Sequence, residues 1–271
     1  MEVKQRLLFG LAVDAVTMGE VLALCEQRLA DRQLLQIGVV NAAKMVKLRK
    51  DPLLRDSLLT CDLMVADGQS VVLASRILRR PLPERVAGID LFEQLLVLAE
   101  RTDRSVFLLG AKPQVLATLQ QRLLERFPRL RIAGARDGYY SQSQSAEVAE
   151  QVRASGADML FLGMTSPKKE IFLGSYGEQM GVPIMHGVGG SFDVFAGLTK
   201  RAPQRWQRLG AEWLFRLLQE PGRLWKRYLT TNSAFAWQLL LELFRPTPAY
   251  RATAGTEQAT GSTKKVTGEQ R

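Results

Sequence analysis

The sequence predicts an α/β fold: a mostly parallel, Rossmann-like sheet with helices on both faces, followed by a C-terminal appendage of basic amphipathic helices. Three observations carry the prediction. Short continuous apolar runs alternate with helical segments, glycines and polar residues cluster just after those runs, and beyond about residue 200 aromatic residues interleave with arginines at helical spacing. A chain of 271 residues, 46% of them apolar, can bury a sizeable core without a disulfide framework.

Taken in order, Leu7 to Val13 reads as a strand, and Thr17-Met18-Gly19-Glu20 fits a capping box that starts a helix to about Leu29. A strand follows over Leu35 to Val40. Ala42 to Arg49 and Pro52 to Leu59 read as helices, and Leu63 to Ala66 is a short strand stopped by Asp67-Gly68. The rhythm continues with a strand at Ser105 to Gly110, a helix at Pro113 to Phe127, a strand at Leu130 to Ala133 and a helix near Ala146 to Ser155. Asp158 to Gly163 and Val182 to Met185 supply two more strands. These elements define a core over residues 1–199 and a basic helical appendage over 200–246. The Thr-, Gly- and Lys-rich tail, 247–271, lacks apolar periodicity and is expected to be disordered.

The net charge of +10 calls for an anionic partner: nucleic acid, a membrane face or phosphorylated substrates. From Lys200 to Arg251 there are ten basic residues against three acidic ones, so the appendage carries most of the excess. No apolar run approaches the roughly 20 residues of a membrane span. Cys25 and Cys61 have no CxxC spacing and read as reduced, buried thiols in a cytosolic protein.

Ligands of such sheets bind beyond the strands' carboxyl ends. There the sequence places Asn41, Asp67-Gly68, Gly110-Ala111-Lys112, Asp137-Gly138-Tyr139, Gly163 to Pro167 and Gly187-Val188-Gly189-Gly190. Asp67 suits a catalytic carboxylate at the rim, although an ordinary Asp-Gly turn has the same signature. The glycine cluster at 187–190 suits a diphosphate, yet it matches neither GxGxxG nor the Walker sequence. His186, the one histidine, stands in an apolar strand end and reads as structural.

These residues assemble into a resemblance. Asn41, Ala66-Asp67-Gly68, Pro81 to Leu91 with its Glu84-Arg85-Val86-Ala87-Gly88, Phe107 to Gly110, Asp137 to Tyr139 and Ser166-Pro167-Lys168 stand in order with matching spacing. Val188 to Asp193, Arg201-Ala202-Pro203 and Glu212 to Tyr228 continue the series. Over roughly residues 7 to 245 the chain resembles the WecG/TagA/CpsF glycosyltransferase family.

The resemblance implies an inverting enzyme of bacterial cell-surface polysaccharide synthesis. It would move N-acetylmannosamine, its uronic acid or a hexose from a UDP-sugar to a polyprenyl-diphosphate-linked sugar, without a metal or other cofactor. It would work as a peripheral protein on the cytoplasmic face of the inner membrane, against anionic lipid. A homo-oligomer remains an open alternative.

By the same resemblance Asp67 is the base and Arg85 an active-site cation, with a salt bridge to Glu84 or Asp90 as the alternative for Arg85. Asn41 contacts substrate, Tyr139 lies near the nucleobase, Asp193 accepts a ribose hydroxyl, and Gly110 and Gly189 let the ligand approach the backbone. Arg216, Arg223 and Arg227 close over the lipid-linked diphosphate, while Trp213, Phe215, Leu217, Leu224 and Trp225 meet the membrane. Two positions depart from the usual pattern. Val39 stands where many members carry Thr, and Lys169 where many carry Gln, so Lys169 meets a sugar carboxylate, the diphosphate or only solvent. The competing reading is a basic nucleic-acid-binding α/β protein, although no nucleic-acid-binding signature is present.

Overall fold

The structure is a computed structural model and describes residues 3–208 and 210–251, apart from the side chains of Arg208, Arg216, Arg223 and Arg227. The expected tail beyond residue 251 lies outside the described residues.

The chain opens with β1 (Gln5–Leu8) and β2 (Leu11–Asp14), then runs through α1 (Met18–Ala30), β3 (Leu35–Val40), α2 (Ala42–Leu48), α3 (Pro52–Leu59) and β4 (Leu63–Ala66). Next come α4 (Gln69–Ile77), α5 (Gly88–Arg101), β5 (Ser105–Gly110), α6 (Pro113–Arg126), β6 (Arg131–Arg136), α7 (Ser145–Ala154) and β7 (Met159–Gly163). The last elements are α8 (Lys168–Met180), β8 (Ile184–His186), α9 (Ser191–Phe195), α10 (Gln204–Arg208), α11 (Glu212–Gln219) and α12 (Pro221–Phe244).

The six strands β4-β3-β8-β7-β5-β6 form one parallel sheet, as the alternating pattern predicts. Its strands apart from the edge strand β6 are buried on both faces, and the two-residue period divides their side chains. Val106, Leu108, Met159 and Phe161 face one core with α1, α5 and α6, while Phe107, Leu109, Leu160 and Leu162 face α7 and α8. Phe92 of α5 meets Phe161 at 4.8 Å and Phe195 of α9 at 5.0 Å between ring centroids, which fixes two rim helices against the central sheet.

The opening differs from the single strand expected at 7–13. Phe9 and Gly10 both adopt positive φ, 51° and 82°, and fold the run into the β1-β2 hairpin. Both halves are apolar, which hid the turn. The hairpin is a separate two-stranded sheet packed beside β4, where the Asp14 side chain accepts from the Met64 N–H at 2.6 Å. Two helices that the apolar runs left unassigned, α4 and α5, follow β4, and α5 begins at Gly88 inside the Arg85 motif.

The C-terminal helices are not a detached unit. Along α12, Leu224 and Phe235 are buried, Phe235 stacks 5.3 Å from Phe9, and the helix packs along α2. Thr247 to Arg251, placed in the tail by composition, continue this packing. The Tyr250 N–H donates to Gly10 O at 2.7 Å, and its ring joins the core beneath Arg55.

Candidate active site

The carboxyl ends of all six strands lie on one rim, which gathers the residues expected there. At one edge β4 stops at Asp67. Helix α5 has no capping side chain of its own, and Asp67 supplies one from across the turn: Oδ1 accepts the Gly88 N–H at 2.8 Å. Asn41, at the end of neighbouring β3, caps α2 by accepting the Lys44 N–H at 3.1 Å. A Cβ on Gly68 would stand 3.2 Å from the Asn41 Cβ, so Gly68 lets the two turns meet.

Beneath this edge sits a buried charge cluster. Lys44 Nζ donates to Val39 O at 2.6 Å and lies 2.7 Å from Glu170 Oε1, and Lys169 Nζ lies 3.7 Å from the same oxygen. Burial alone would raise the Glu170 carboxyl, but Lys44 and Lys169 outweigh it and hold it below the usual carboxylate range. Lys169 is not the solvated lysine of one reading: it is 8% exposed. Burial, helped by Lys44, brings its ammonium down to about 8 against the pull of Glu170 and Asp67.

Lys169 also faces the glycine turn after β8. Gly189 has φ +54°, which favours glycine, and a Cβ there would stand 3.0 Å from Lys169 Nζ, so the lysine head lies close against this turn. Gly110, at the end of β5, has φ +134°, and its Cβ would fall 2.5 Å from the Gly163 backbone. The Val39 side chain points into the core with α1 and α5.

The far edge is more open. Tyr139 follows β6, the strand at the opposite edge of the sheet from β4, and is exposed. Its N–H donates to Asp137 Oδ1 at 2.8 Å. Lys168 Nζ steadies this loop by donating to Gly138 O at 2.8 Å and Tyr140 O at 3.3 Å. Asp193 lies half-buried on α9, held against the core by Phe192 and Phe195.

Arg85 pairs with neither alternative alone. Its Nη2 lies 3.1 Å from Glu212 Oε1 at the start of α11 and 3.9 Å from Asp90 Oδ2, while Glu84 instead accepts the Met18 N–H. Arg201 Nη2 lies 2.6 Å from the other Asp90 oxygen. Two cations and two carboxylates therefore join the rim to the first C-terminal helices. The side chains of Arg216, Arg223 and Arg227 lie outside the described residues.

Sequence reasoning passed over Lys44 and Glu170 and read His186 as structural. Glu170 lay in view beside Lys169 in the Pro167-Lys168 motif, but nothing local marks Lys44 as its partner. Cys25 and Cys61 are both free, and burial pushes each thiol up to about 12, which keeps them protonated.

A doubly wound sheet with its polar groups gathered at one rim is the architecture of an α/β enzyme that binds its ligand beyond the strand ends. Residues 6–249 match the model of the Glycosyl transferase WecG/TagA/CpsF family, and the chain belongs to that family. It is a glycosyltransferase of cell-surface polysaccharide synthesis.

Proposed function

We propose that the protein is an inverting transferase that moves a sugar from a UDP-sugar to a sugar carried on polyprenyl diphosphate, with Asp67 as the base. The Asp67 carboxylate carries this reading. Its Oδ1 is held by the Gly88 N–H, while among the described residues no hydrogen bond occupies Oδ2. Oδ2 takes the proton of the acceptor hydroxyl as that oxygen attacks the anomeric carbon, and the bond to UDP breaks with its electron pair leaving on the diphosphate.

Charge then grows on the diphosphate, and cations with backbone N–H groups stabilise it. Arg85 and Lys169 are the cations on the core, Arg216, Arg223 and Arg227 those of α11 and α12, and the turns at Gly110 and Gly189 present backbone. Asn41 binds sugar, Tyr139 covers the nucleobase and Asp193 takes a ribose hydroxyl. The length of the rim favours this layout, with the nucleotide towards β6 and the chemistry at β4. No metal is required in this scheme.

The acceptor is reached at the membrane. None of the described helices is long and apolar enough to cross a bilayer. Trp213, Leu218, Trp225, Leu229, Trp237, Leu243 and Phe244 nevertheless stand exposed on α11 and α12, which favours peripheral contact with the cytoplasmic face of the inner membrane. Of the apolar residues first assigned to that contact, Leu224 is buried and Phe215 packs on Trp206 at 5.8 Å.

The test is turnover with a short-chain prenyl-diphosphate N-acetylglucosamine and a panel of UDP-sugars, reading UDP release with and without EDTA. One donor is expected to turn over, unaffected by EDTA. Absence of UDP release from every donor, or abolition by EDTA with recovery on added metal, would overturn the scheme.

A further inference from the structure

His186 ends β8, between β3 and β7, and is wholly buried. Its Nε2 lies 3.0 Å from the carbonyl oxygen of Gly88. A carbonyl only accepts, so Nε2 carries the ring proton; Nδ1, also buried, has no hydrogen-bond partner among the described residues. The N–H of the same Gly88 holds Asp67 Oδ1. Gly88 is therefore gripped at both of its backbone polar groups, by the histidine on one side and the carboxylate on the other. The fit is close without overlap, since a Cβ on Gly88 would lie 3.8 Å from the imidazole Cε1 and Nε2.

We propose that His186 is a positioning residue for the transfer reaction: as a neutral Nε2–H imidazole it fixes the first residue of α5, so that the Gly88 N–H holds one oxygen of Asp67 and aims the other at the acceptor hydroxyl. This rests on Asp67 being the base. A carboxylate at a strand end turns about two side-chain torsions, and a fixed donor on one oxygen removes that freedom before substrate arrives. The surroundings keep the ring neutral. Burial dominates, Lys169 from α8 and Lys44 from α2 add to it, and together they outweigh the Gly88 bond and Asp67, leaving the imidazole at about 4.

His186 is the only histidine in the chain, so tag-free protein carrying 15N-labelled histidine reports this ring alone. The Nε2–H tautomer is expected at pH 7 and still at pH 5; an Nδ1–H tautomer or an imidazolium at pH 7 overturns the proposal. Two variants carry it to turnover. His186→Leu keeps an apolar filling without the donor and is expected to lower kcat about 10- to 100-fold with the donor KM within about twofold, the scale on which misplaced reacting groups cost rate. His186→Gln restores an N–H at similar reach and is expected to recover most of kcat.

Wild-type kcat in folded His186→Leu, or a loss confined to KM, counts against positioning. Asp67→Asn measured alongside separates the two ideas: if it turns over normally the base assignment has failed, whereas an inactive Asp67→Asn beside a fully active His186→Leu sinks the positioning role alone. If His186→Leu does not fold, the wild-type tautomer and the kcat of His186→Gln decide, and a folded, inactive His186→Gln overturns it.

Discussion

At the strand ends charged side chains are buried and paired, whereas along α11 and α12 large apolar side chains stand in solvent. Lys44, Glu170 and Lys169 forgo water inside the core, while Trp225, Leu229, Trp237 and Phe244 forgo burial. Burying a charge without a partner costs several kcal/mol, so the first arrangement persists only because the ions face one another. Exposed apolar area costs about 25 cal/mol per Å² and is tolerated where a second phase covers it. On the proposed function, the first region serves the substrate and the second a membrane surface.

The sharpest break in this comparison is Asp67→Asn. It is expected to lose about 10²- to 10⁴-fold in kcat, the span of a general base, while its thermal midpoint stays near wild type. UDP release and a melting curve read the two quantities separately.

Two residues on one helix sharpen it further. Phe235 is 6% exposed and Trp237 61% exposed, two positions apart on α12. Phe235→Ala is expected to cost about 3–5 kcal/mol in denaturant unfolding, since it empties the contact with Phe9. Trp237→Ala should stay within about 0.5 kcal/mol of wild type yet cut sedimentation with anionic vesicles about tenfold. If both variants lowered stability alike, α12 would have no solvent face to offer a membrane.

Acid titration probes the buried side. Burial brings the His186 imidazole down to about 4 from its ordinary 6.5, so between these pH values the unfolded chain binds the extra proton. Stability should therefore fall by about 3 kcal/mol as pH drops from 6.5 to 4, and His186→Gln should flatten that part of the profile. Urea midpoints at half-unit pH steps would show it.

The smallest effect concerns Lys169. With its ammonium at about 8, its charge fades as pH rises through that value. If it meets an anionic group of the donor, KM for the donor should rise several-fold between pH 7 and 9. Lys169→Gln should remove that dependence, and a flat wild-type KM would place Lys169 outside donor binding.

Much of the sheet was legible because β3, β5 and β7 are buried on both faces and read as unbroken apolar runs. The rim followed from the residues after each run. What stayed hidden was of two kinds. The Phe9-Gly10 turn sits inside an apolar stretch with no second turn residue, and α5 begins at a glycine without a cap of its own because Asp67 provides it from 21 residues away. The charge cluster depends on Lys44 and Glu170, distant in sequence and joined only by the fold. A lysine on a short helix reads as solvated, since lysines are rarely buried without a partner that sequence spacing does not reveal.

Helix α2 has a consequence of a mechanical sort. It is seven residues long, its first turn is capped by Asn41, and α12 lies along its flank. Packed helices sit about 8–10 Å apart. On the proposed membrane reading, a tilt imposed on α12 by a bilayer would press on the helix that Asn41 caps across a single layer of side chains.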